Sequence, residues 1–440
     1  MQKQPDTFAP ILQQLKIPAL NEMQLATIEA SQEAADIVLL SPTGTGKTLA
    51  FLLPLLTGLE ADSKEVQAVI LSPTRELALQ IETVFKSMKT SHKVTCCYGG
   101  HSMRVEVKNL IEPPAVLVAT PGRLKDHLKR EHIDISNAKL LVLDEFDKSL
   151  EFGFQEDMSF IIKNMRKVER RILTSATEAI KIPDFVGAEK PVRLQFMPKK
   201  SEIKKLEIKL VRSPEKDKLH TLSQLICNLE PAGMIVFCNH RESVERISDY
   251  LSEKNIFHDY YHGGLEQNER EKTLVKFRNG TYQILISTDL AARGLDIPDI
   301  KYIVHYHLPS KADAYTHRNG RTARMHAKGS AFLILHEEEN IPEYIKSDPK
   351  TFYLKNMPPP PAPEWETLYI GKGKKDKVNK IDIVGFLAKK GGLKKEEIGL
   401  IEVKDFFAYV AIKRNKIKGV LKNIKFEKIK GKKAKVAVAR

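Results

Sequence analysis

Cysteine is scarce in this chain, with four in 440 residues at Cys96, Cys97, Cys227 and Cys238. None forms a C-x-x-C pair, so neither a disulfide framework nor a structural zinc site is expected, and a reducing cytosol is the implied compartment. The thirteen histidines show no H-E-x-x-H spacing, which leaves no metalloprotease signature. No run approaches the roughly 18 apolar residues that a membrane span needs. The start, Met1-Gln2-Lys3-Gln4-Pro5-Asp6, lacks the apolar core of a signal peptide, so a cytoplasmic protein without membrane attachment is expected. Excess charge is also missing from most of the chain. Residues 371–440 hold 22 Lys/Arg against 7 Asp/Glu and so carry the entire net charge of +15, leaving the first 370 residues neutral. A neutral body with a basic tail suits a polyanionic partner gripped at the C-terminal end.

What is present begins with the stretch Ser41-Pro42-Thr43-Gly44-Thr45-Gly46-Lys47-Thr48. It lies between an apolar run, Ile37-Val38-Leu39-Leu40, and a helix-like segment from Leu49. Strand, glycine loop and helix together are the context of a phosphate-binding loop. Backbone N–H groups of Thr43, Gly44, Thr45 and Gly46 curl round an anion, and the helix N-terminus adds partial positive charge. Lys47 is expected to reach the β- and γ-phosphates of ATP, and the Thr48 hydroxyl to help hold Mg²⁺. The strict pattern has glycine where this chain has Ser41.

Further apolar runs follow, at 68–71, 115–118, 140–143 and 171–173, each ending in a polar or glycine-containing cluster. Short buried strands separated by helical stretches predict an α/β fold on a parallel sheet, with ligands at the strands' carboxyl ends. Asp144-Glu145 closes one run about a hundred residues after Lys47. Asp144 is expected to hold Mg²⁺, largely through its waters, and Glu145 to orient the attacking water. A second α/β pattern begins near residue 205, with runs at 234–238, 284–287, 302–305 and 331–335 and no phosphate loop. Two similar sheets with one loop suggest a cleft enzyme, closed across ATP by groups from the second lobe.

These motifs together resemble the DEAD-box RNA helicases. The matches are 41–48, Pro73-Thr74-Arg75-Glu76-Leu77-Ala78, Gly99-Gly100, Thr120-Pro121-Gly122-Arg123, Asp144-Glu145-Phe146-Asp147, Ser175-Ala176-Thr177, the stretch 288–296 and His317-Arg318-Asn319-Gly320-Arg321-Thr322-Ala323-Arg324. The resemblance implies two tandem RecA-like domains, at 1–203 and 204–348. It implies adenine reading by Phe8 and Gln24, a ribose contact from Asp296, coupling through His317, and arginine fingers at Arg321 and Arg324. It assigns RNA-backbone contacts to Pro73, Thr74, Arg75, Gly100, Thr120, Gly122, Arg123, Gln267, Arg270 and Thr288. Such contacts favour RNA over DNA without reading sequence.

The chain departs from the family in three places. Phe146 stands where the family has alanine, and its bulk has to be accommodated by neighbours, for which the 175–177 segment is the candidate. Asn21-Glu22-Met23-Gln24 lacks the usual proline-threonine run. Asn319 and Ala323 replace isoleucine and glycine. Activity is expected to survive all three.

A proline-rich linker, 349–366, is expected to be extended and stiff. After it, strand, helix, strand, strand, helix and strand over 367–440 suit a small α+β domain like the RNA-recognition motif. Residues 369–440 resemble the DbpA-type RNA-binding domain, which implies a structured target in large-subunit (23S) ribosomal RNA and a role in ribosome assembly. Candidate contacts are Tyr369, Phe407 and Tyr409, whose rings either stack on bases or pack as core, and the lysines Lys374, Lys375, Lys430 and Lys432. The expected protein is a monomeric ATP- and Mg²⁺-dependent RNA helicase. An ATP-gated RNA clamp or chaperone with little unwinding is the alternative.

Overall fold

The computed structural model describes residues 6–42, 44–176, 181–197, 206–289, 300–322, 329–346 and 348–439. Two compact units divide near residue 203, the second carrying both the second sheet and the tail.

In the first unit the strands are β1 (Asp36–Leu40), β2 (Ala68–Leu71), β3 (Val94–Cys97), β4 (Val116–Ala119), β5 (Leu140–Leu143), β6 (Arg170–Ser175) and β7 (Val192–Gln195). They form one parallel sheet in the order β3-β4-β2-β5-β6-β1-β7. The first five strands are buried along their whole length, as strands covered by helices on both faces must be. The helices α1 (Ala9–Leu15), α2 (Glu22–Glu33), α3 (Lys47–Thr57), α4 (Arg75–Ser87), α5 (Met103–Leu110), α6 (Pro121–Lys129), α7 (Phe146–Glu151) and α8 (Gln155–Asn164) provide that cover. One core joins Phe8, Leu52, Ile70, Ile81 and Phe85; the other joins Val69, Leu117, Leu143, Met158 and Ile161.

The strand order sorts the functional loops. Loops after the neighbours β3, β4 and β2 carry the expected RNA contacts. Loops after the neighbours β5, β6 and β1 carry the acidic pair, the Ser-Ala-Thr segment and the phosphate loop. The two expected sets of ligand contacts therefore fall at different ends of the sheet's carboxyl edge.

Phe146 is fully buried in the second core, with Leu143, Met158 and Ile161, so that core takes up its bulk; of the 175–177 segment, Thr177 lies outside the described residues. Phe146→Ala is then chiefly a stability change. It is expected to destabilise the first lobe by about 3–5 kcal/mol, read as a lowered midpoint in denaturant. An unchanged midpoint would contradict this placement.

The second unit builds another parallel sheet from β8 (Leu206–Ser213), β9 (Gly233–Cys238), β10 (Asp259–Tyr261), β11 (Ile284–Thr288), β12 (Ile300–His305), β13 (Gly329–His336) and β14 (Lys350–Thr351), ordered β10-β11-β9-β12-β13-β8-β14. Helices α9 (Leu219–Cys227), α10 (Arg241–Glu253) and α11 (Gln267–Arg278) pack with it.

The tail sheet holds β15 (Trp365–Ile370), β16 (Ile398–Val403), β17 (Ala408–Lys413) and, after a short hairpin of β18 (Lys428–Ile429) and β19 (Lys432–Lys433), β20 (Val436–Val438). The order β16-β17-β15-β20 is antiparallel throughout, and the helices Lys380–Lys389 and Ile417–Ile424 complete a β-α-β-β-α-β domain. The linker does not run free. Phe352 N–H bonds the Leu210 carbonyl at 2.7 Å, Asn228 pairs with the Lys355 backbone, and Pro360, Pro361 and Pro363 lie in a groove with Ile226, Leu229 and Phe257.

Candidate functional site

At the phosphate loop, Gly44 and Gly46 have φ of +83° and +93°, the left-handed region that glycine enters without cost. A Cβ on Gly46 would also sit 2.7 Å from the Gln24 amide nitrogen. Gln24 Nε2 donates to the Gly46 carbonyl at 3.2 Å, and Asn21 Nδ2 donates to the Thr45 carbonyl at 3.0 Å. Asn21 and Gln24 also cap α2 reciprocally, each side-chain oxygen accepting the other's N–H at 2.9–3.0 Å. The missing proline-threonine run is thus replaced by a residue that both caps the helix and holds the loop. Ser41 is likewise used: its hydroxyl and that of Thr45 lie 2.8 Å apart. Lys47 is buried, and its Nζ donates to the Ser41 carbonyl at 2.7 Å. Thr48 stands half-buried in the first turn of α3, while Thr43 lies outside the described residues.

Phe8 is not an exposed ring. It is 3% exposed within the first core, so the packing role is the one its placement supports.

Asp144 and Glu145 are buried at the end of β5. Thr174 of β6 organises both: its hydroxyl donates to Asp144 Oδ1 at 2.7 Å and accepts from the Glu145 N–H at 3.0 Å. Glu145 has φ of +44°, a conformation that costs a non-glycine residue roughly 1–2 kcal/mol. The Thr174 bond is one of the contacts that hold it there. Burial, then the Glu145 charge, push the Asp144 carboxyl up to about 6, against the opposing pull of Lys47 and Thr174. The Asp144 carboxylate at the end of β5 and the Thr48 hydroxyl in the first turn of α3 are oxygen donors of the kind a hard divalent cation takes. Thr174 was outside the sequence expectations because a threonine preceding Ser-Ala-Thr looks like one more strand residue.

The turns after β2, β3 and β4 are built with equal care. Thr74 caps α4, its hydroxyl accepting from Leu77 N–H at 3.3 Å, with Pro73 just before it. The Arg75 guanidinium lies over Gly100, where a Cβ would meet Nη1 at 2.4 Å; Gly100 has φ of +85°. Thr120 is the N-cap residue of α6, Gly122 lies in its first turn beside Asp157, and Arg123 follows with its side chain 13% exposed.

In the second unit, Thr288 ends β11, and Gln267 opens α11 with its amide on Glu271 at 3.1 Å. Arg270 donates to the Tyr261 hydroxyl at 3.1–3.2 Å and rests on that ring. On the helix Ala312–Asn319, His317 is buried, and Arg321 just beyond the helix is 6% exposed. Arg318, part of the matched motif but given no role from the sequence, is the hub here. It pairs with both Asp289 oxygens, donates to Asn239 Oδ1 at 2.9 Å and reaches the His307 carbonyl. Asn319 has a partner of its own in the fully buried His305 at 3.0 Å. Burial and Arg318 lower His305 to about 3, which keeps that ring neutral. Asp296 and Arg324 lie outside the described residues.

The tail's aromatic residues were open to two readings. Tyr369, Phe407 and Tyr409 do form one aromatic cluster, with ring centroids 5.3–5.9 Å apart. The cluster is packed against Val275 of α11, and Tyr409 is 7% exposed. Around it, the Thr367 hydroxyl accepts from Asn279 Nδ2 at 3.1 Å and lies 2.7 Å from the Thr281 hydroxyl. Arg414 reaches the Thr281 carbonyl at 3.1 Å and lies over the Phe257 ring, and Arg278 pairs with Glu402 at 3.2 Å. Of the two readings of these rings, packing is the one their placement supports, and the aromatic face lies against the second lobe. The lysines remain outward. Lys374 and Lys375 sit exposed in a turn beside the β18–β19 hairpin, which Lys430 ties to the Lys377 carbonyl and Asp382 and Lys432 to Asp376.

Among the described residues, no helix is long and apolar enough to cross a membrane. The DEAD/DEAH box helicase family matches residues 21–185, the Helicase conserved C-terminal domain matches 217–326, and the DbpA RNA binding domain matches 367–438. The chain is 31% identical to the ATP-dependent RNA helicase DbpA of Bacillus subtilis, over 94% of both chains. It is 33% identical to that of Escherichia coli, over 97% of this chain and 95% of the other. Among solved structures, Mss116p bound to ssRNA and AMP-PNP superposes with a TM-score of 0.68 at 26% identity, covering 80% of this chain and 78% of that one. Dbp5 of S. cerevisiae bound to RNA and ADP BeF3 gives 0.65 at 25%, covering 75% and 88%.

Proposed function

This chain belongs to the DEAD-box ATP-dependent RNA helicases, which are RNA-stimulated ATPases, and carries a DbpA-type RNA-binding domain; from that premise we propose that it locally remodels large-subunit (23S) ribosomal RNA during ribosome assembly, as a cytoplasmic monomer. The observation that carries the proposal is the tail's arrangement. Its aromatic face is fastened to the second lobe while the exposed lysines around 374–377 and 428–433 stay outward, so RNA held by those lysines is held next to the motor.

In the proposed cycle Lys47 leaves the Ser41 carbonyl for the β- and γ-phosphates, and the loop's N–H groups enclose them. Thr48 and Asp144 are the residues that would hold Mg²⁺, which when bound neutralises charge on the phosphates. Glu145, fixed by Thr174, orients the attacking water. Arg321 and Arg324 offset charge on the departing phosphoryl group, with Asp296 on the ribose, Gln24 toward the adenine, Phe8 packed in the core behind, and His317 coupling the change to the Ser-Ala-Thr segment. Pro73, Thr74, Arg75, Gly100, Thr120, Gly122, Gln267, Arg270 and Thr288 contact the RNA backbone, and hydrolysis resets the grip. Tyr369, Phe407 and Tyr409 serve docking; Lys374, Lys375, Lys430 and Lys432 serve the tail's RNA contact.

A panel of short RNA and DNA duplexes, with and without an attached large-subunit ribosomal hairpin, tests the proposal. ATP-dependent separation of RNA duplexes, accelerated by the hairpin, is the expected result. ATP-dependent retention of RNA without strand separation would favour the clamp reading, and equal separation of DNA duplexes would refute RNA selectivity.

A further inference from the structure

Among the buried acids of the described residues that lie outside the recognised motifs, Glu106 is the most enclosed. Glu106 is on α5, with its carboxylate fully buried between the turn after β3 and the helix after β4. Its Oε1 accepts the Tyr98 N–H at 3.1 Å and faces His101 Nδ1 at 3.1 Å. Its Oε2 lies 2.8 Å from Arg123 Nε and 2.8 Å from His127 Nε2. Arg123 also donates to the His101 carbonyl, and His127 continues to His132 at 3.2 Å. Those contacts close a ring through three elements: the Gly100–His101 turn, α5, and the start of α6. Arg75 from the turn after β2 rests on Gly100, which joins the third loop to the ring.

We infer that Glu106 is a positioning residue for RNA binding: it fixes the turns after β2, β3 and β4 in one rigid arrangement and holds Arg123 inside it rather than out on the RNA. The inference rests on the RNA path described under Proposed function and adds to it the residue that sets the path's shape. The geometry is that of a charge buried only because it is fully paired. Burial works against the ionised carboxylate, but the bonds from His101, His127 and Tyr98 and the Arg123 charge outweigh it and hold Glu106 at about 2. Cys97, Glu106 and His127 bring ligand atoms within 4.8 Å of one another, as a metal site would. The cation that faces the carboxylate there is already the Arg123 guanidinium.

The test is ATPase activity of the full chain as a function of RNA concentration. Glu106→Ala is expected to raise half-saturating RNA by about tenfold or more, because a buried charge pair is broken, while turnover at saturating RNA stays within about threefold. Glu106→Gln keeps the side chain's size and one acceptor oxygen for the Tyr98 N–H, but sets an NH2 group against Arg123 and loses the charge, so it is expected to recover only part of the loss. Half-saturation within about twofold of the parent for Glu106→Ala overturns the inference. Should Glu106→Ala fail to fold, His101→Ala removes one arm from a partly exposed position and is expected to raise half-saturation about threefold; no rise overturns the inference equally. Arg75→Ala separates the two levels. If it leaves half-saturation unchanged, the RNA path itself is wrong; if it raises half-saturation while the Glu106 variants do not, only the role of Glu106 is wrong.

Discussion

Lys47→Ala is expected to lower ATP turnover by about three orders of magnitude, the scale of removing one charge-stabilising donor from a phosphoryl-transfer site. The ammonium group is buried and aimed at the loop by the Ser41 carbonyl, so no other side chain of α3 replaces it. Its loss also takes away a positive charge that opposes the upward push on Asp144. Alanine fits the first turn of a helix well, so folding is expected to be retained. RNA binding by the tail is expected to persist, because the tail belongs to the other compact unit. Steady-state hydrolysis and RNA affinity measured on the same preparation check both halves. Turnover within about tenfold of the parent would reject Lys47 as the phosphate ligand.

Deletion of residues 364–440 carries the second large effect. Those residues hold 22 Lys/Arg against 9 Asp/Glu, +13 of the net +15, and long-range attraction to RNA scales with the number of phosphates a basic surface neutralises. The shortened chain is expected to lose its preference for ribosomal RNA over generic RNA, with the two giving ATPase half-saturation within about threefold of each other. Some ATPase with excess generic RNA is expected to remain, since the loops after β2, β3 and β4 are intact. The structure adds a consequence: the deletion uncovers Val275, Asn279 and Thr281, which Tyr409 and Thr367 cover in the full chain. A lower thermal midpoint of the second lobe is therefore expected beside the loss of selectivity. Retained discrimination among RNAs would show that the tail is not the selector.

The large strands were legible because their runs are apolar on both faces, and the motifs were legible because they end those runs. The strands that sequence reasoning missed are those whose surroundings weaken the signal. Leu206–Ser213 interleaves Glu207, Lys209 and Arg212 with its apolar positions, Val192–Gln195 lies at a sheet edge and is mostly exposed, Asp259–Tyr261 is three residues long, and Val94–Cys97 mixes threonine and cysteine into four positions. The hairpin at 428–433 was hidden inside a lysine-rich stretch. Within the site, the residues that bear the expected chemistry were readable from motif spacing. The residues that hold them were not. Thr174, Arg318 and Glu106 act through partners 29 or 30, 29 or 79, and 21 positions away, separations that no local pattern encodes. Phe146 and Tyr409 teach the same lesson from the apolar side. An aromatic residue beside a motif was readable, and the direction its ring faces was not. In both cases packing decided it: the first-lobe core took Phe146 and α11 took Tyr409.

The most direct test of the account is steady-state ATP hydrolysis by the full chain without RNA, with a generic poly-RNA, and with large-subunit ribosomal RNA. Low turnover alone, weak stimulation by poly-RNA and strong stimulation by ribosomal RNA at far lower concentration is the expected pattern. Equal stimulation by both RNAs would contradict the tail's role as selector, and turnover indifferent to every RNA would contradict the account at its centre.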